Sequence, residues 1–198
     1  MAASLTEEQI VRFSRQILLR DVGGNGQLRL CETGIQVEGS TEVAVYLAAG
    51  GSKVTATPEA TDEHAPGFAS VTQVHRSLGD SGASVTVLNA RTLTLSQWER
   101  GVPTVLVGTS PEQGSLAIAF GYCGACVWHT ARDWTPPPED WSTVGAPLAA
   151  LAAQRLVLGI TPENGVLHTD PDGMPGELRP LERREDCEGC EGPGAPTR

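Results

Sequence analysis

Three observations predict an α/β fold for this chain of 198 residues. Residues 35–51, IQVEGSTEVAVYLAAGG, pass from a short apolar alternation (Ile35, Val37) through a Gly-containing turn into a helical apolar run, Val43 to Ala49. That is a strand, a turn and the helix behind it, the opening of a βαβ unit. Ahead of it the N-terminus, MAASLTEEQIVRF, reads as a charged helix, and far behind it four cysteines fall into two matching pairs. The length suits a single domain over residues 1–190, with a Gly- and Pro-rich tail at 191–198, EGPGAPTR, expected to be disordered.

Composition narrows the possible partners. At 39% hydrophobic and 19% charged residues the chain can bury a real core. A formal net charge of −10 argues against nucleic acid or an anionic membrane, because both call for a basic surface. There is no apolar run of about 18 residues and no signal-peptide pattern, so a cytoplasmic protein is expected. Residues 52–82 carry no strong periodic element before Ala69 and read as loop-rich.

The turn inside the strand–turn–helix unit departs from what such a unit uses to hold a phosphate. That task needs bare backbone N–H groups at the helix N-terminus, usually supplied by several glycines. Here the turn is Glu38-Gly39-Ser40-Thr41-Glu42, with a carboxylate on either side of a single glycine. Like charges at that position repel a polyphosphate.

The two cysteine pairs are Cys123-Gly-Ala-Cys126 and Cys187-Glu-Gly-Cys190. Two residues between thiolates let both reach one ion, and two such pairs supply the four sulfurs of a tetrahedral structural zinc site. Disulfides are disfavoured in a cytoplasmic chain, and a redox motif would occur once rather than twice. The site is expected to staple the C-terminal segment onto the body of the domain. With four sulfurs at hand, His129 is expected in a solvent-facing loop, and Cys31 as a small core residue. Trp128, Trp134 and Trp141 crowd a Pro-rich stretch and are expected to form one satellite core or lid.

The run LTEEQIVRFSRQILLRDVGGNGQLRL closely resembles the opening signature of the ThiF/MoeB family, bacterial relatives of ubiquitin-activating enzymes. The matching residues are Arg12, Phe13, Ser14, Arg15, Gln16 and Ile17, then Gly23, Gly24, Gly26 and Gln27. VAVYLAAGG, ASVTQVHRSLGDSGASVTVLNARTLT and the paired Cys-x-x-Cys around TVGAPLAALAAQRLVLG extend the match in the same order. The resemblance implies a Rossmann-like ThiF/MoeB fold, here shortened, with N-terminal helices and a zinc-clamped C-terminal segment. It also implies homodimers, Mg-ATP as cofactor, and adenylation of the C-terminus of a ubiquitin-like or sulfur-carrier protein.

The residues that such chemistry uses are replaced one after another. Relative to the family's glycine-rich loop, the turn is shorter by about four residues. Where the family's ribose-binding acidic strand end falls, Lys53 to Pro58 has no carboxylate. Ser70 stands at or near the phosphate-contacting lysine, Ser110 at the magnesium-binding aspartate and Trp141 at the thioester cysteine. Arg15 resembles the arginine that reaches across the dimer to the partner's ATP; its other reading is a surface charge paired with Glu8 or Asp21. ATP and magnesium are therefore not expected as cofactors, and no catalytic residue is assigned. The sequence points to a pseudoenzyme of this family. It would be a binding or regulatory subunit in a homodimer, or in a heterodimer with a related catalytic subunit, or a holder of a ubiquitin-like carrier or peptide. The contrary expectation is an ATP-dependent adenylyltransferase with an altered site.

Overall fold

The computed structural model describes residues 4–56, 85–89, 103–138, 140–160, 164–170, 174–181 and 187. The loop-rich stretch after Ala56, Ser70, Cys190 and the 191–198 tail lie outside these residues.

Three short helices open the chain: α1 (Glu7–Arg12), α2 (Ser14–Ile17) and α3 (Gly23–Glu32). A capping box starts α1, with the Gln9 N–H donating to Thr6 Oγ1 at 3.2 Å and the Thr6 N–H to Gln9 Oε1 at 2.9 Å. The first expected helix is divided at Phe13, whose backbone leaves helical geometry (φ −102°, ψ 17°) and whose ring is buried.

The expected strand and helix follow as β1 (Gly34–Val37) and α4 (Thr41–Ala49), then β2 (Lys53–Ala56), β3 (Val85–Asn89) and β4 (Thr104–Ser110). Next come β5 (Ser115–Gly121), α5 (Gly124–Ala131), α6 (Ser142–Leu158), β6 (Gly165–Thr169) and β7 (Pro175–Pro180). One seven-stranded sheet runs in the order β2-β1-β3-β4-β5-β6-β7. The first four strands are mutually parallel and the last three continue antiparallel.

Alternation sends neighbouring residues of the middle strands to opposite faces. Val105 and Val107 of β4 join Ile118 and Phe120 of β5 in a large core with α4 and α6. Leu106 and Ala119, one residue out of phase, belong to a smaller core with α5. Burial on both faces is why β4 reads as a nearly unbroken apolar run. The buried flank of α6 is alanine (Ala146, Ala149, Ala150, Ala153), which lets the helix lie close to the sheet. Pro147 costs α6 one intrahelical bond near its start, where Thr143 is exposed.

The N-terminal helices are fastened to the ends of the two large ones. Arg12 donates to the carbonyl of Ala48 in the last turn of α4 at 3.4 Å, and Arg29 donates to the carbonyls of Val157 and Leu158 at the end of α6. Both put a cation on the negative end of a helix dipole. Gln27, with no exposed surface, donates to the Gly50 carbonyl at 3.0 Å. Beside it Gly51 has φ +100°, and a Cβ there would meet Gln27, the Phe13 ring and Cys31. Gly51→Ala is therefore expected to destabilise the protein by about 2 kcal/mol in urea unfolding. An unchanged midpoint would show that this junction does not hold the N-terminal helices in place.

Candidate functional site

In an open α/β sheet, ligands settle at the point where strand order reverses, outside the C-terminal ends of the strands. Here that point lies between β1 and β3, because β2 and β3 flank β1 on opposite sides. The turn that lines it is Glu38-Gly39-Ser40. The Glu38 N–H donates to the Val87 carbonyl at 2.9 Å, stitching the turn to β3, and Gly39 takes the left-handed conformation (φ +74°).

The Glu38 side chain is buried, with 4% of its surface exposed. Gln36, two residues earlier and so on the same face of the strand, donates from Nε2 to Glu38 Oε1 at 2.9 Å. At the head of α4, Ser40 Oγ accepts from the Val43 N–H at 3.2 Å and donates to Glu42 Oε2 at 3.2 Å. The positive end of α4 is thus served from within the chain, by a hydroxyl cap and a carboxylate in the first turn.

The far wall is built in a similar way. Ser110 ends β4 and is 2% exposed. Next to it Thr109 exchanges backbone bonds with Thr135 at 2.9 and 3.1 Å, and its hydroxyl donates to the Pro136 carbonyl at 3.2 Å. The Pro-rich segment therefore lies along the C-terminal end of β4. β2, at the sheet edge, carries no carboxylate over Lys53–Ala56. Arg15 is exposed on α2.

The tryptophans do not form the single cluster expected of them. Trp141 packs on the large core at the head of α6, lying over Gly145, where any side chain would collide with the indole and with Leu116. Trp134 packs on the small core, and Trp128 is half-buried on α5. Cys31 is half-buried rather than in the core, its Sγ 3.7 Å from Gln27 Nε2.

Three of the four paired cysteines come together. Cys123, Cys126 and Cys187 are buried, and their sulfurs all lie within 4.8 Å of one another, with Cys123 and Cys187 at 3.6 Å. Thiolates about 2.3 Å from a tetrahedral ion stand about 3.8 Å apart, so this spacing suits a shared metal. Cys123 caps α5 and Cys126 lies in its first turn, which sets both sulfurs at the positive end of that helix. His129 does not sit in a solvent-facing loop: it lies within α5, half-buried, and is not part of the sulfur cluster. Gly124, Cys126, Val127 and Ala131 form the buried side of this helix.

No known family matches the chain by sequence, and no curated protein does. Solved structures match by shape. Selenomethionine PaaA superposes with a TM-score of 0.56 over 91% of this chain and 76% of its own, at 15% identity. MccB of E. coli, crystallised with MccA, gives 0.54 over 94% and 76% at 13% identity. MccB with MccA-N7isoAsn gives 0.53 over 90% and 74% at 14% identity. The chain has a ThiF/MoeB-like fold. At these identities the likeness is one of architecture. Among the described residues, no helix is long and apolar enough to cross a membrane.

Protein purified under reducing conditions without chelator is expected to carry about one metal ion per chain by elemental analysis. Cys187→Ser should lose that ion and lower the melting temperature by roughly 5 °C or more. A metal-free wild type that melts like the variant would sink the metal site.

Proposed function

We propose that this chain is a non-catalytic ThiF/MoeB-like subunit, a zinc-stabilised scaffold that has given up nucleotide chemistry and works by binding. The crevice carries this reading. Its phosphate position holds the buried Glu38 carboxylate, and the α4 N-terminus is capped by Ser40 with Glu42 beside it. A triphosphate entering there meets two carboxylates, with the helix dipole already compensated.

Zinc is the metal that four-sulfur chemistry favours, with Cys123, Cys126, Cys187 and Cys190 as its ligands. Bound there, it supplies a structural crosslink. Cys123, Cys126 and Cys187 themselves close the small core against α5.

Two surfaces support a binding role. Val11 and Leu18 are 76% and 84% exposed, with Ile10 and Leu19 beside them on the N-terminal helices, and Tyr46 and Leu151 are exposed on α4 and α6. Large apolar side chains exposed to this degree favour burial against a second subunit, either another copy or a catalytic relative. The pairing of MccB with MccA in its crystals supports the second half of the reading, that a small carrier protein or peptide tail is held here.

Titration calorimetry of the zinc-loaded protein is expected to give no heat up to roughly 1 mM Mg-ATP. Binding at about 10 µM, with pyrophosphate released on adding a carrier ending in Gly-Gly, would establish the adenylyltransferase instead. By light scattering the wild type is expected to be a dimer and the double variant Val11→Glu, Leu18→Glu a folded monomer. A monomeric wild type would leave only the heterodimer.

A further inference from the structure

At the end of the sheet where β4 gives way to β5, the antiparallel strands border a pocket of about 300 Å³ that is open to solvent, with Gln113, Asp170, Gly176 and Arg179 exposed around it. Gln113 and Ser115 line it from the β4–β5 turn and the start of β5, His168 and Asp170 from the end of β6, and Gly176 and Arg179 from β7. Its size is at the lower end of small-molecule sites. Gly176 lets β7 pass close, since a Cβ there would stand 2.8 Å from the His168 carbonyl oxygen.

Two polar atoms of this wall, Ser115 Oγ and His168 Nδ1, are buried and have no hydrogen-bonding partner among the described residues. Such groups are rare in folded proteins and call for an explanation, of which a missing ligand is one. The neighbouring polar groups are accounted for: the Thr169 hydroxyl donates to the Leu116 carbonyl at 3.3 Å, and Asp170 Oδ1 accepts from the Met174 N–H at 2.8 Å. The pKa of His168 is lowered from the ordinary histidine value by burial first and by the Arg179 guanidinium second, with Glu112 opposing. At neutral pH the ring is uncharged, and either nitrogen can carry the proton.

The cavity thus offers one guanidinium, a hydroxyl and a neutral imidazole as donors, with the Asp170 carboxylate on the same wall. A lone anion would be drawn to Arg179 and repelled by Asp170 and Glu112; a lone cation would meet the reverse. A ligand carrying both charges a few ångströms apart satisfies all of them. We infer that this cavity binds a small zwitterion, a free α-amino acid, with its carboxylate on Arg179, Ser115 and His168 and its ammonium on Asp170. The site is independent of the function proposed for the crevice.

The test follows the His168 ring resonances of the full-length, metal-loaded protein by NMR, assigned with His168→Gln, while glycine is added at constant ionic strength. Saturable shifts with a dissociation constant near about 1 mM are expected. Acetate and methylamine, each carrying one of the two charges, should bind at least about tenfold more weakly. Arg179→Gln and Ser115→Ala should each weaken glycine by a similar factor. Ser115→Ala separates ligand contact from a purely structural role, because deleting an unpartnered buried hydroxyl should leave the fold intact or firmer. The inference is overturned if glycine gives no saturable shift, if either single-charge probe binds as well as glycine, or if both variants bind like the wild type.

Discussion

Everything in this fold depends on covering a sheet whose middle strands are apolar on both sides. The two covers are unequal. On one face α4 and α6 bring a long series of alanines, valines and leucines, and the core there extends from Leu30 to Val157. The other face has the eight-residue α5, and its core is completed by Cys123, Cys126, Cys187 and Leu181, so that sulfur makes up part of the apolar layer itself. A small core of this kind contributes little alone, and a metal held by its three sulfurs would supply what added area would otherwise provide. The sulfur cluster and the second core are one structure.

The features legible in the sequence were those whose signal is local. Alternation predicts β1 and the apolar runs predict α4 and α6; the cysteine spacing predicts one site for Cys123, Cys126, Cys187 and Cys190, of which the first three meet and Cys190 lies outside the described residues. What could not be read depends on register and on contacts across the chain. Nothing in the order of residues says that Gln36 would hold the Glu38 carboxylate, although two-residue spacing at a strand end was the available clue. The bridge between Thr109 and Thr135 joins segments 26 residues apart through backbone alone, leaving no mark in side-chain pattern. His129, expected in a loop because four sulfurs leave it no ligand role, lies in α5, whose helical spacing is legible in Cys126, Val127 and Ala131. The tryptophans, adjacent in sequence, were separated by the sheet that passes between their two cores.

The N-terminal signature can now be understood without a nucleotide. Phe13 is buried beneath the junction of the first helices, Arg12 caps α4 and stacks 5.2 Å from the Phe13 ring, and Gln27 ties α3 to the glycines that end α4. Each of these residues has a packing or capping task that remains whatever happens at the crevice. Arg15 differs: it is exposed on α2, as Ser14 beside it is. A motif held mainly by packing persists whether or not chemistry accompanies it, because removing its members costs stability first. The crevice turn has no such protection: Ser40 caps α4 as well as a phosphate-binding loop would, and Gln36 makes a buried Glu38 tolerable. On the function proposed above, a kept scaffold and a changed site would have one physical origin, since stability constrains the first and leaves the second free to change.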